Sequence, residues 1–317
     1  MTSVVCVSHS QDVDGLVCAA LLRMAKDAQY ILADYSEFPG VTSKVTEGVD
    51  EFYLCDLALE DPIISELKRI SKLSEVTYVD HHPLSKENRR ILKQFGVRTV
   101  HSTEMCAGAL TYRLFRRELS DDALLLAGYA SLSDYPSPNR GLPFSTRSDP
   151  QMLAFEATLL TYSLARRCDD DKFRRKIVDN LSLLKYPHNI ESVVDLATKQ
   201  LEYVLDIMKN TDRYVSYSGN VAYVEVAGST GVVANALMHA LEKPIVICYR
   251  KCRGGDVYYL SVRSKNPKYN LGVLTSEIAG ELGGSGGGHP LAAAAQLSGE
   301  SLSRFIQSLD RRISDDD

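Results

Sequence analysis

The chain has 317 residues, 44% of them hydrophobic, which is enough apolar material for sizeable cores and a length that favours two domains over one. Lys and Arg number 36 against 41 Asp and Glu, and this net charge of −5, without a polybasic tail, argues against a protein that holds long nucleic acid by broad electrostatics. No apolar stretch reaches the roughly 20 residues of a membrane helix; the seven cysteines are scattered, and Met1-Thr2-Ser3 runs at once into Val4 without a signal-like segment, so a cytoplasmic protein with reduced thiols is expected.

Strand and helix patterns alternate through the first half. Residues 3–8 read as a strand, 16–26 as a helix, 30–34 and 52–56 as strands, 63–72 as a helix, 76–80 and 97–100 as strands, and 106–117 as a helix. The apolar run 124–130 fits a strand or a helix. This rhythm predicts an α/β fold, a mainly parallel sheet with helices on both faces and ligands at the strands' carboxyl ends. From 150 to 208 the pattern turns helical, broken at Tyr186-Pro187-His188-Asn189. Beyond it, 221–226, 244–249 and 257–263 read as strands, with helices over 231–241, 271–282 and from 292 into the C-terminal region. The expected organisation is a catalytic domain over 1–189, a helical connector over 190–212 and a smaller α/β domain over 213–317.

Polar chemistry gathers where these runs end. Val76-Thr77-Tyr78-Val79 leads into Asp80-His81-His82; Val4-Val5-Cys6-Val7 leads into Ser8-His9-Ser10-Gln11-Asp12-Val13-Asp14-Gly15; Phe52-Tyr53-Leu54-Cys55 leads into Asp56; the run 124–130 leads into Ser131-Leu132-Ser133-Asp134. Any one of these acids is as readily a turn residue, and Asp12 and Asp14 are also candidate caps of the helix that follows. Together, His9, Asp12, Asp14, Asp56, Asp80, His81 and Asp134 supply enough oxygen and nitrogen donors for two divalent ions sharing a carboxylate.

This ordered set resembles the DHH phosphoesterase superfamily. Ser261-Val262-Arg263-Ser264 and Gly283-Gly284-Ser285-Gly286-Gly287-Gly288-His289-Pro290 are similar to the DHH-associated C-terminal domain of the branch containing nanoRNases and cyclic-dinucleotide phosphodiesterases. Several branches place three residues between the first His and the next Asp, whereas only Ser10 and Gln11 stand between His9 and Asp12. The resemblance implies one ion held by His9, Asp12 and Asp56 and a second by Asp14, Asp56, His81 and Asp134. It implies that His82 contacts phosphoryl oxygens while Asp80 orients its neighbours. Mixed carboxylate and imidazole donors fit two manganese ions best.

The C-terminal segment is expected to grip substrate. From Lys243 to Asn270, Lys243, Arg250, Lys251, Arg253, Arg263, Lys265 and Lys268 face the single acid Asp256, a basic excess within an acidic chain. Arg263 ends a strand before Ser264, where its planar fork suits a phosphate. The glycine segment with Gly286, Gly287, Gly288 and His289 is expected to open a helix over 291–296, whose backbone N–H groups would face an anion. The resemblance gives Arg263, Ser264, the glycines and His289 a nucleotide-binding role. The expected substrates are short oligoribonucleotides or linear dinucleotides, cut to 5′-mononucleotides. A cyclic dinucleotide, 3′-phosphoadenosine 5′-phosphate and a silent nucleic-acid-binding scaffold are the alternatives; partners beyond a possible second copy of the chain, and any membrane, are not expected.

Overall fold

In β1 (Val4–His9), Val4 and Cys6 enter one core while Val5 and Val7 enter another, so the strand is buried on both sides and reads as one apolar run. β3 behaves alike, with Tyr53 and Cys55 on the first side and Phe52 and Leu54 on the second. This is the computed structural model of the chain, and it describes residues 2–35, 37–43, 45, 48–134, 149–252 and 255–314. The chain divides into two units, 1–164 with 170–197, and 165–169 with 198–317.

The first unit runs β1, α1 (Val13–Lys26), β2 (Gln29–Ala33), α2 (Phe38–Thr42), β3 (Glu51–Cys55), α3 (Asp61–Ile70), β4 (Glu75–Asp80), α4 (Lys86–Gln94), β5 (Arg98–His101), α5 (Ala107–Leu114), α6 (Leu124–Asp134), α7 (Pro150–Arg166) and α8 (Asp171–Leu181). α9 (Val193–Lys209) leads from the first unit into the second. The strands form one parallel sheet in the order β2-β1-β3-β4-β5. Helices cover both faces: α3 buries Ile63, Leu67 and Ile70, spaced one turn apart, against one side, and α1, α5 and α6 pack on the other. In this strand order the direction of winding reverses between β1 and β3, the place where α/β sheets open a crevice at their carboxyl ends.

The second unit contains α10 (Thr211–Tyr214), β6 (Ser216–Ser218), β7 (Val221–Glu225), α11 (Thr230–Ala240), β8 (Ile245–Lys251), β9 (Val257–Ser264), α12 (Leu271–Glu281), β10 (Ser285–His289), β11 (Ala292–Ser298) and α13 (Gly299–Ser314). Its sheet has the order β10-β11-β9-β8-β7-β6, antiparallel except for the β7–β8 pair. One face carries Ile245, Ile247, Leu260, Val262, Ala293, Ala295 and Leu297 into a core with Leu271 and Ile278 of α12 and Phe305, Leu309 and Ile313 of α13. α11 packs on the opposite face, over β8 and β9. No described helix is long and apolar enough to cross a membrane.

One expectation is overturned. The segment after the glycines is not a helix: Ser285–His289 is a strand, and Ala292–Ser298 is its hairpin partner, pairing on its other side with β9. The alanines favour a helix in isolation, but Ala293, Ala295 and Leu297 alternate into the core and their backbone groups complete two ladders, so tertiary pairing overrides propensity. The run 124–130 resolves as helix and continues to Asp134. α4, too charged to show an apolar stripe, is an additional element between β4 and β5.

β10 lies against α12 almost without clearance. A Cβ built on Gly272 would stand 2.2 Å from the Gly288 carbonyl oxygen, whereas one on Gly280, in the same helix, meets nothing within 4 Å. Gly272→Ala is therefore expected to destabilise the protein by about 1–3 kcal/mol through overpacking, while Gly280→Ala stabilises it by up to about 1 kcal/mol through helix propensity. Urea denaturation of the two variants checks the opposite signs.

Candidate metal centre

The carboxyl ends of β1, β3 and β4 bring the predicted donors together. His9 is the last residue of β1, and its Nδ1 stands 2.9 Å from Asp12 Oδ2 and 3.6 Å from Asp56 Oδ2. The short spacing from His9 to Asp12 therefore leaves His9 inside the cluster. Asp12 serves twice, since its Oδ1 accepts the Gly15 N–H (3.0 Å) as the cap of α1 while Oδ2 faces His9. Asp56 follows β3 with φ 58°, a left-handed conformation that Asp tolerates better than most residues and that is held by its N–H to the Val79 carbonyl (3.0 Å). His81 Nε2 lies 3.4 Å from Asp56 Oδ1 and 3.9 Å from Asp14 Oδ2, and its Nδ1 lies 3.5 Å from Asp134 Oδ2 at the end of α6. Asp14 sits in the first turn of α1, and its carboxylate accepts from the Ala107 and Gly108 N–H groups (2.8 and 2.6 Å) at the start of α5.

Asp80 has a different place. Its Oδ2 accepts from the Tyr78 hydroxyl (2.6 Å) and the His82 N–H (3.2 Å), and its Oδ1 lies 2.8 Å from His82 Nδ1. It thus orients the His82 ring. His101, last in β5, bonds through Nε2 to the His82 carbonyl oxygen (2.7 Å). Asp34, just past β2, lies 4.0 Å from His9 Nε2 and was not singled out by sequence, although it occupies the same strand-end position as the other acids. Gln11, between His9 and Asp12, accepts from the buried Arg174 guanidinium (3.0 Å), a pairing with no local sequence signal.

The donors fit divalent cations. Ligand atoms of His9, Asp12 and Asp56, and of Asp14, His81 and Asp134, lie within 4.8 Å of one another in each group. Asp56 Oδ2 and Asp134 Oδ2 are buried without a hydrogen-bond partner, which is costly unless a positive charge meets them. Burial, with the charges of Asp56 and Asp134, pushes the Asp14 carboxyl well above its usual range. Burial, opposed by His81 and His82 and joined by the charges of Asp56 and Asp12, pushes Asp134 up to about 6. Burial works to lower the His81 pKa, yet Asp56, Asp134 and Asp14 drive it up to about 12; His9 rises in the same way beside Asp12 and Asp56. Two imidazoles held charged by buried carboxylates mark a cluster short of positive charge.

The second unit sorts its predicted residues by face. Arg263, Ala292 and His289 stand opposite one another across β9, β11 and β10, so they share the α11 face. Arg263 donates from Nε to Asn235 Oδ1 (2.6 Å) and from Nη1 to the carbonyls of Val262 and Ala293. Gly287 lies on this face too, and a Cβ there would meet nothing within 4 Å. Gly286 and Gly288 point the other way, where a Cβ would crowd Thr275 and Ala279 or the Ala292 backbone. Ser264 is buried on that opposite side, its Oγ accepting the Asn266 N–H (3.0 Å).

Comparison with known proteins bears on the fold that carries these residues. Residues 218–315 match the model of the DHHA1 domain. The second unit thus carries the stretch that matches the DHHA1 domain, and the chain shares its fold with two solved proteins. RecJ from Thermus thermophilus, solved with Mn2+, is similar at a TM-score of 0.71 and 16% identity over 99% of this chain and 52% of that one. A pGpG-specific phosphodiesterase, PggH, from Vibrio cholerae is similar at a TM-score of 0.57 and 14% identity over 99% of this chain and all of that one (100%). In sequence, uncharacterized protein MJ0831 of Methanocaldococcus jannaschii is 31% identical over 98 residues, 30% of this chain and 22% of that protein. This DHHA1-containing chain thus matches about a fifth of that curated relative's length.

The pKa shifts set the pH behaviour of the metal-free protein. Asp134 titrates near 6 when folded against about 3.9 unfolded, so the native state loses stability as pH climbs through that interval. His81, raised to about 12 from about 6.5, contributes stability that is whole below about 6.5 and lost above it. The melting temperature in chelator should therefore fall from pH 5 to pH 9, and saturating manganese should raise it and flatten the slope. Calorimetry across that range checks both; a metal-free melting temperature that climbs with pH would contradict the assignment.

Proposed function

We propose that this chain is a metal-dependent phosphodiesterase that hydrolyses short oligoribonucleotides or linear dinucleotides to 5′-mononucleotides. The observation that carries the reading is the pair of orphaned carboxylate oxygens, on Asp56 and Asp134, within clusters of imidazole and carboxylate donors at the sheet's carboxyl edge. Divalent ions held by His9, Asp12, Asp14, Asp56, His81 and Asp134 would supply Lewis acidity at a phosphoryl group and lower the pKa of a water molecule. Manganese suits these mixed donors best. A pGpG-specific phosphodiesterase with this fold supports a linear dinucleotide as substrate, and a manganese complex of RecJ supports the metal.

The chain's own residues then divide the work. Burial lowers the His82 pKa but Asp80 more than offsets it, so a charged imidazole stands ready to meet the phosphoryl oxygens as negative charge develops. Asp80, fixed by Tyr78, holds that ring in one orientation. Arg263 and His289, on one face of the second sheet, are suited to a terminal phosphate of the nucleotide. Attack of water on phosphorus with loss of the 3′ oxygen leaves the phosphate on the 5′ side, giving 5′-mononucleotides.

Incubation of the manganese-loaded protein with linear diadenylate, cyclic di-AMP, a five-nucleotide RNA, pyrophosphate and 3′-phosphoadenosine 5′-phosphate, with products identified by mass, decides the substrate. The expected product is 5′-AMP from the linear dinucleotide, and Asp56→Ala should lower kcat/KM at least about 100-fold, or about 2.7 kcal/mol. Bound metal with no turnover of any substrate would overturn the reading in favour of a binding module.

The second unit gives a separate expectation. Gly287→Ala should leave the melting temperature within a degree or two while reducing dinucleotide turnover, because its added methyl occupies open space on the Arg263 face; Gly288→Ala should lower the melting temperature itself. Loss of stability in Gly287→Ala, or unchanged turnover, would argue against ligand approach at that position.

A further inference from the structure

Beside the reaction centre, α4 carries Lys86, Arg89, Arg90 and Lys93 at i, i+3, i+4 and i+7, so four cations share one face of a nine-residue helix. All four are exposed, and among the described residues none is paired with a carboxylate. The helix holds a single acid, Glu87, and its other side seats Leu92 in the core. Like charges at these spacings oppose helix formation, and the Ser85 cap, Glu87 in the first turn and the buried Leu92 hold the helix against them. In a chain whose net charge is −5, this concentration is local.

The stripe is also wired to the centre. Arg89 Nη2 lies 3.2 Å from His101 Nδ1, which must therefore accept, leaving His101 Nε2 to donate to the His82 carbonyl oxygen at 2.7 Å. A hydrogen-bonded path thus leads from the cationic face of α4 to the Asp80-His81-His82 turn. At about 1.5 Å of rise per residue, α4 extends roughly 13 Å from that turn, the length of a few nucleotides of single strand.

We propose that the α4 face formed by Lys86, Arg89, Arg90 and Lys93 binds the phosphodiester backbone of a single-stranded oligonucleotide whose scissile linkage lies at the centre beside His82. The proposal rests on the phosphodiesterase reading and deepens it: chains longer than a dinucleotide gain an added hold through the phosphates that follow the one attacked. One helix face offers a single row of cations, which suits one phosphodiester backbone.

The test uses the full manganese-loaded chain with Arg90→Glu and Lys93→Glu combined, since neither residue touches His101. Turnover of bis-p-nitrophenyl phosphate, which has no neighbouring phosphate, is expected to stay within twofold. For a five-nucleotide RNA, kcat/KM is expected to fall at least tenfold, and the slope of log affinity against log salt, read by fluorescence anisotropy, to become shallower by about 1.4 for two lost phosphate contacts. Arg90→Gln with Lys93→Gln separates binding from folding, because it removes the contacts together with the repulsion and should weaken pentanucleotide binding without lowering the melting temperature. Pentanucleotide binding and salt slope that the charge reversal leaves unchanged would overturn the proposal, as would equal losses on both substrates. If the wild-type chain cleaves nothing, the phosphodiesterase reading fails on that result, and the anisotropy comparison alone decides whether α4 is the nucleic-acid surface.

Discussion

Negative charge withdrawn from water at one sheet edge is the constraint on which the first unit depends. Asp12, Asp14, Asp56 and Asp134 converge around two imidazoles, and two like charges 4 Å apart repel by about 4 kcal/mol even at the effective dielectric of a protein surface. The surrounding fold meets part of this demand with what it has. The start of α5 turns two backbone N–H groups to Asp14, the first turn of α1 satisfies one oxygen of Asp12, and His9 and His81 take up protons. Two oxygens, on Asp56 and Asp134, remain without a hydrogen bond. The arrangement suits cations, which would meet the negative charge that the fold leaves unmatched.

Much of this was legible because burial on both faces makes β1, β3 and β4 nearly continuous apolar runs, and a polar residue that interrupts such a run stands at the rim. Three motifs far apart in sequence become neighbours once the sheet is parallel, since all its strands then present the same end. Less could be read where position depends on partners. The left-handed turn at Asp56 has no glycine to announce it, and Arg174 reaches Gln11 from a helix 163 positions away in the chain. Asp34 was readable in principle, by the same strand-end logic, but its short strand is only half-buried and gave a weak signal.

The hairpin of β10 and β11 shows the opposite failure, where a strong local signal pointed the wrong way. Four consecutive alanines after a glycine run describe a helix and its flexible entry, yet small side chains are also what a strand needs when a helix lies close on one side. Reading the segment as a strand changes its chemistry. Some of the backbone N–H groups that a helix start would have offered to an anion are spent in the ladder with β11, and the alternation of the strands sets Arg263 and His289 on one face of the sheet.

That same hairpin separates two reasons for preserving glycine. At Gly286 and Gly288 the missing side chain makes room for α12 and for the neighbouring strand, whereas at Gly287 the space is open. Across related sequences, unvarying glycines at the outer two positions would record the history of a packing contact, and would persist in a copy that had lost every ligand. The middle position is where a ligand on that face would leave its mark, and a lineage in which it drifts while its neighbours stay fixed would be one in which the fold persisted without such a ligand.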